Sequence, residues 1–233
     1  MGIKPQEFFN HLTNQKVEFF TGVPDSLLKE LCLCIDENVS SNYHIITANE
    51  GNAVALGTGY HLSTNKLPLV YMQNSGLGNA INPLLSLCDE QVYSVPMLLV
   101  VGWRGEPDFY DEPQHLKQGK IQNELLSLMD IPYQVISNET ADIERIIYKS
   151  CKRATDENKP VAIIIKKNTF NKYKVDQKPD NDILTSREVY LDFILQNIPE
   201  DSVVISTTGK TSREVSEIRD RTSGLHKKDF LNV

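Results

Sequence analysis

At 233 residues, with 40% hydrophobic and 24% charged side chains, the chain can bury a full core and has the make-up of a globular protein rather than a disordered one. A formal net charge of −7 argues against a nucleic-acid surface, and no apolar run approaches the ~20 residues that a membrane span needs. The opening Met1-Gly2-Ile3-Lys4-Pro5 carries no apolar signal-peptide core, and Cys32, Cys34, Cys88 and Cys151 form neither a C-x-x-C pair nor a metal-ligand spacing, so a soluble cytoplasmic chain with reduced thiols is the expectation.

Phe8, Phe9 and Leu12 recur at helical spacing after Pro5, which predicts a first helix over 4–15. Residues 17–21 read as a strand, and Gly22-Val23-Pro24-Asp25-Ser26 reads as a turn that caps a helix with Leu27, Leu28 and Leu31 on its inner face. The β-turn-α unit then repeats. A strand over 43–47 precedes a helix that opens at Glu50, a strand over 67–72 precedes a helix over 81–87, and a strand over 97–101 precedes a helix over 118–129. A strand over 133–136, a helix over 142–155 and a strand over 161–165 complete the series. Runs such as Leu98-Leu99-Val100-Val101 and Val161-Ala162-Ile163-Ile164-Ile165 are apolar on both alternations, as in a parallel sheet covered on both faces. The expected fold is α/β, a six-stranded parallel sheet with helices on both faces, over residues 1–166.

Residues 167–182 turn to Lys, Asn, Asp and Pro and read as a linker. A helix over 186–196, a strand over 202–205 and a helix over 212–221 begin a second α/β domain over 183–233. One or two strands cannot close a doubly wound sheet. The expectation is therefore an incomplete domain in a fragment of something longer, its strand poorly ordered or seeking a neighbour's sheet edge.

Four stretches carry candidate chemistry. Glu50 sits at a strand-to-helix turn, where open α/β sheets form ligand crevices, although a surface acid favoured by the helix dipole has the same position. Gly51, Ala55 and Gly59 follow on one helical face and call for close approach of a partner. In 73–79, the glycines make a flexible turn and the amides Gln73, Asn74 and Asn79 can donate to a ligand; G-x-G-x-x-G is ruled out by Ile81, and a structural turn remains open. Residues 102–115 read as a long loop in which His115 has the surroundings for acid–base work, and Thr208-Gly209-Lys210 is not a P-loop but can meet a phosphate or carboxylate.

Gly22-Val23-Pro24-Asp25-Ser26, Ala48-Asn49-Glu50-Gly51-Asn52-Ala53, Gln73-Asn74-Ser75-Gly76-Leu77-Gly78-Asn79 and Asp111-Glu112-Pro113-Gln114-His115, in this order, resemble the pyrimidine-binding domain of thiamine diphosphate-dependent decarboxylases. Residues 206–214 resemble the start of that family's second, diphosphate-binding domain. The resemblance implies thiamine diphosphate and Mg2+ as cofactors, a small anionic 2-oxo acid with a phosphonate or alternatively a sulfonate head group as substrate, and a homo-oligomer with sites between subunits. It implies that Glu50 exchanges a proton with N1′ of the aminopyrimidine, that Asp25 and His115 manage protons at the reacting carbon, and that Gln73, Asn74 and Gly76 lie against the cofactor. Thr208, Gly209 and Lys210 are the weaker candidates for substrate or diphosphate contact. The family's metal-binding Gly-Asp-Gly motif does not occur in the chain. Metal ligands are thus expected beyond Val233, and the chain alone is expected to bind no cofactor appreciably and to be inactive. The alternative is a non-catalytic α/β binding module.

Overall fold

Lys4 leads into α1 (Pro5–Asn14), where Pro5 occupies the first turn and Phe8, Phe9 and Leu12 are buried. The structure is a computed structural model that describes residues 2–175, 185–207, 209–224, 226 and 228–231. Its residues divide into two compact units, Met1–Val175 and Asp176–Val233.

In the first unit β1 (Phe20–Gly22), β2 (His44–Ile46), β3 (Leu69–Gln73), β4 (Met97–Gly102), β5 (Tyr133–Ile136) and β6 (Pro160–Ile165) form one parallel sheet in the order β2-β1-β3-β4-β6-β5. The helices between them are α2 (Lys29–Asn38), α3 (Glu50–Thr64), α4 (Leu77–Pro83), α5 (Pro113–Leu128) and α6 (Ile143–Glu157). Strand alternation feeds two separate cores. Leu98, Val100 and Ile163 pack with Phe8, Leu31, Ile35 and Ile147 of α1, α2 and α6. Leu99, Val101 and Ile164 pack with Ala53, Val54, Leu77 and Leu126 of α3, α4 and α5. A strand buried on both faces has no polar alternation to show, which is why these runs are continuous in the sequence. The chain leaves β1 toward β2 and then crosses to β3 on the other flank of β1, so the switch point of the sheet lies at the carboxyl ends of β1 and β3.

Three of the differences from the sequence reading lie at this edge. Ser26 does not cap α2: the helix starts at Lys29, and the preceding turn is closed by the Leu28 N–H on the Asp25 carbonyl. The helix expected over 81–87 begins directly after β3 as a single 3-10 turn (Asn74–Gly76), runs through α4 and ends in a π turn (Leu84–Cys88). The glycines of 73–79 are thus helical, and the π turn follows Pro83, whose missing N–H breaks the regular ladder. Helix α5 starts at Pro113 rather than 118, with Glu112 extended before it, so His115 stands in the first turn of a helix and not in a loop.

Residues 167–175, read as linker, are built onto the first unit. Ile3 bridges Phe170, the Ile3 N–H donates to the Thr169 carbonyl (2.8 Å), and the Phe170 ring meets Phe8 edge-on at 5.3 Å. Tyr173 donates its N–H to Glu30 (2.7 Å) and its hydroxyl to Glu37 (2.6 Å). The rest of that stretch, 176–182, lies outside the described residues.

The second unit contains α7 (Arg187–Asn197), β7 (Val204–Ser206), α8 (Lys210–Thr222) and β8 (Asp229–Leu231) around Leu195, Val215 and Ile218. Ser186 caps α7 as its position suggests, by accepting from the Val189 N–H. The strand expected to be poorly ordered or to seek a neighbour's sheet edge, β7, instead pairs in parallel with β8, a strand too short and too polar to read from residues 224–231.

Candidate active site

At the end of β2, Asn49 caps α3 by accepting the Gly51 N–H (2.7 Å), which makes Glu50 the first helical residue. Its carboxylate accepts from Asn79 Nδ2 of α4 at 2.8 Å. The space it fills exists because residue 76 is glycine: a Cβ there would lie 2.4 Å from Glu50 Oε1. Gly51 is also required, since its Cβ would come within 2.9 Å of the Asn79 carbonyl and hold α3 off α4. Gly59 and Ala55, by contrast, face solvent, and a Cβ at 59 would meet nothing within 4 Å, so on the face of Gly51, Ala55 and Gly59 the close approach is made by Gly51 alone, while Gly57 is the glycine seated tightly against Met97 and Val70 of the sheet.

Asp25 is 6% exposed at the end of β1. One carboxylate oxygen accepts the Leu27 N–H (2.9 Å), while Oδ1 is buried without a hydrogen-bond partner. Burial raises its pKa, opposed by the Leu27 N–H and the Arg104 charge. A Cβ on Gly102, the last residue of β4, would lie 2.3 Å from Asp25 Oδ2, so glycine at that strand end makes room for the acid.

Asn74 is buried and ties β3 to the loop after β4, donating to the Arg104 carbonyl (2.8 Å) and accepting the Arg104 N–H (3.2 Å). The expectation that its amide reaches a ligand meets this competing engagement. Gln73 Nε2 donates to Ser75 Oγ (2.6 Å) and lies 3.4 Å from His115 Nδ1. Burial and the Arg104 charge lower the His115 pKa, which leaves the imidazole neutral at neutral pH. Helix α5 carries His115 close to the sheet because a Cβ on Gly119 would lie 1.8 Å from the Gly105 carbonyl, and Trp103 donates its ring N–H to the Gly119 carbonyl (3.0 Å).

Arg104, not singled out from the sequence, organises this edge. It pairs side by side with Asp111 (Nε to Oδ2, 2.8 Å) and donates from Nη1 to Ser26 Oγ (2.9 Å). Asp111 also accepts the Gly105 and Glu112 N–H groups, each at 2.8 Å. The guanidinium and these donors hold its carboxyl well below the usual carboxylate range. The available signal was one arginine in a loop otherwise rich in acids.

Asp25, Glu50, Gln73, Asn74, Gly76 and His115 therefore stand on one carboxyl edge of one sheet. Gly209 and Lys210 belong to the second unit, where Gly209 takes a left-handed φ of 103° and Lys210 is the first residue of α8; Thr208 lies outside the described residues. The nearby Ser212 hydroxyl donates to the Thr207 carbonyl at 2.6 Å. Among the described residues no group of three or more His, Cys, Asp or Glu side chains could hold a metal, and no helix is long and apolar enough to cross a membrane.

A doubly wound parallel sheet with a carboxylate, an acid and an imidazole at its carboxyl edge defines an α/β domain of the kind that forms a ligand crevice at that edge. Residues 6–130 match the family described as thiamine pyrophosphate enzyme, N-terminal TPP binding domain, and the chain belongs to that family. It is 30% identical to the phosphonopyruvate decarboxylase of Streptomyces viridochromogenes over 90% of this chain and 56% of that protein, and 29% identical to the Streptomyces hygroscopicus protein of the same name over 94% and 57%. It thus spans little more than half the length of these relatives. Sulfopyruvate decarboxylase subunit alpha of Methanococcus maripaludis is 30% identical over 67% of this chain and 90% of that one. Among solved structures, a Rhodococcus jostii thiamine diphosphate-dependent 4-hydroxybenzoylformate decarboxylase superposes with a TM-score of 0.54 at 16% identity, over 87% of this chain and 39% of that one, a likeness of fold.

Proposed function

We propose that this chain supplies the aminopyrimidine half of a thiamine diphosphate site that converts 3-phosphonopyruvate and a proton into phosphonoacetaldehyde and CO2. The carrying observation is Glu50, a carboxylate aimed by Asn79 into a space that only glycine at position 76 leaves free. A carboxyl group held in this way would meet N1′ of an aminopyrimidine ring. When bound, thiamine diphosphate supplies a carbon nucleophile and a sink for the electron pair released with CO2. Glu50 exchanges a proton at N1′. Asp25, whose carboxyl pKa burial raises, would be the group that delivers a proton to the substrate's reacting carbon. His115, neutral and steadied by Gln73, accepts or returns the proton of the product oxygen, and Asn74 fixes the loop that carries Arg104.

In this reading Met1–Val175 is the pyrimidine-binding domain and the unit from residue 185 begins the diphosphate-binding domain, with Gly209 and Lys210 near the phosphates. Mg2+ is assigned to ligands outside the described residues, and the sites are completed between subunits of a homo-oligomer. Four buried, unpaired cysteines suit a reducing cytoplasm. Phosphonate is favoured over sulfonate because the phosphonopyruvate decarboxylases match across both units, the sulfopyruvate subunits over 67% of the chain or less. The test is steady-state assay of the complete enzyme, with cofactor and Mg2+, on phosphonopyruvate, sulfopyruvate and pyruvate. The highest kcat/KM is expected for phosphonopyruvate; a higher value for either competitor overturns the assignment.

A further inference from the structure

A cavity of about 320 Å3 opens beside Asp25, in the groove between α2 and the edge strand β2, and its walls include Asp25, Ser26, Lys29, Asp36 and His44. Most cations at this edge are already spent on other partners. The Asp36 carboxylate accepts from His44 (2.8 Å), whose pKa burial lowers, and so keeps its negative charge beside the cavity. Arg104 is neutralised by Asp111, and Lys166, also at this edge, by Glu106. Lys29 has no ion-pair partner among the described residues. It is the first residue of α2, where the helix dipole adds to the pull on an anion. The Ser26 oxygen accepts from Arg104, which leaves its own O–H free to donate into the same space.

We infer that Lys29 and Ser26 bind the phosphonate head group of the 2-oxo acid and set the preference for anionic-headed substrates over pyruvate. The inference rests on the decarboxylase reading above. One methylene separates the carbonyl carbon of the substrate from its phosphorus, so the head group must sit immediately beside the acid that serves the reacting carbon. The wall that Lys29 and Ser26 share with Asp25 meets that demand. An ammonium and a hydroxyl are also the donors suited to a tetrahedral dianion, the first as a point charge and the second as a directional bond.

The test uses Lys29→Gln and Lys29→Arg in the complete enzyme, alongside a 31P NMR titration of methylphosphonate into the unaltered chain and its Lys29→Gln variant. Lys29 is exposed, so both substitutions leave the fold intact. Loss of one charge-assisted contact predicts a KM for phosphonopyruvate raised about 10–100-fold by Lys29→Gln, a smaller change in kcat, and most of the loss recovered by Lys29→Arg. The phosphonopyruvate-to-pyruvate ratio of kcat/KM falls by the same factor. Equal losses on both substrates, or an unaltered KM, overturn the assignment. If the unaltered enzyme shows no preference for phosphonopyruvate, the substrate reading fails and the titration decides the site: weaker methylphosphonate binding by Lys29→Gln upholds it, and equal binding overturns it.

Discussion

Glu50 shows how much of a proposed catalytic position is made by residues without chemistry of their own. Asn49 fixes where the helix starts, Gly51 lets α4 approach, Asn79 orients the carboxylate, and Gly76 leaves the volume it occupies. Glu50→Gln keeps that volume and can still accept from Asn79, but it cannot exchange a proton at N1′. In the complete enzyme kcat is expected to fall by about 10²–10⁴-fold. The circular dichroism spectrum and melting temperature stay as they were. Near-normal turnover by this variant would return Glu50 to the role of a helix-start acid. The acid itself was legible, because a strand-to-helix turn in a βα series faces the ligand edge. The reason for Gly76 was not, since the atoms that forbid a Cβ there come from a residue 26 positions earlier in the chain.

The segment from β4 into α5 behaves as one device at the scale of elements. Its loop is held by the Arg104–Asp111 pair, whose side chains are only 21% and 10% exposed, and by two N–H groups on the same carboxylate. Because the folded-state pKa of Asp111 is depressed, this contribution is complete above the ordinary carboxylate value of about 4 and is lost as pH falls below it toward the folded value. Asp111→Asn is therefore expected to cost about 1–3 kcal/mol near neutral pH. The gap in melting temperature between variant and parent should narrow as pH is lowered from about 5 to 3. A gap independent of pH would mean that the carboxylate charge contributes nothing. The start of α5 reads as loop from sequence because Pro113, Gln114 and His115 lack an apolar stripe; the tight seat of Gly119 on Gly105 fixes the helix there, and that contact is tertiary.

For the whole molecule, the end of the first unit is the feature that composition misjudged. Residues 167–173 are polar enough to read as linker, yet Phe170 packs on Phe8 and Thr169 and Asn171 bond to Ile3, closing the N-terminus against the chain after β6. A polypeptide ending at Val175 is expected to unfold cooperatively. One ending at Ile165 should lose about 3–5 kcal/mol, from the missing aromatic packing and the opened backbone bonds. Urea denaturation of the two, followed by far-ultraviolet circular dichroism, measures the difference; equal midpoints would show that residues 166–175 add no stability.

The sequence by itself determined the alternation of strands and helices, the parallel covered sheet and the edge on which Asp25, Glu50, Gln73 and His115 gather. Hydrophobic periodicity and βα connectivity are local signals, and they place every strand end on the same side. Only the tertiary structure decided that Asn74 binds the Arg104 backbone, that Arg104 links Asp111 to Ser26, that β7 finds β8, and that Gly76 and Gly102 exist to clear space for two acids. Each of these depends on atoms brought within a few ångströms from distant parts of the chain, and no spacing along the sequence records that approach.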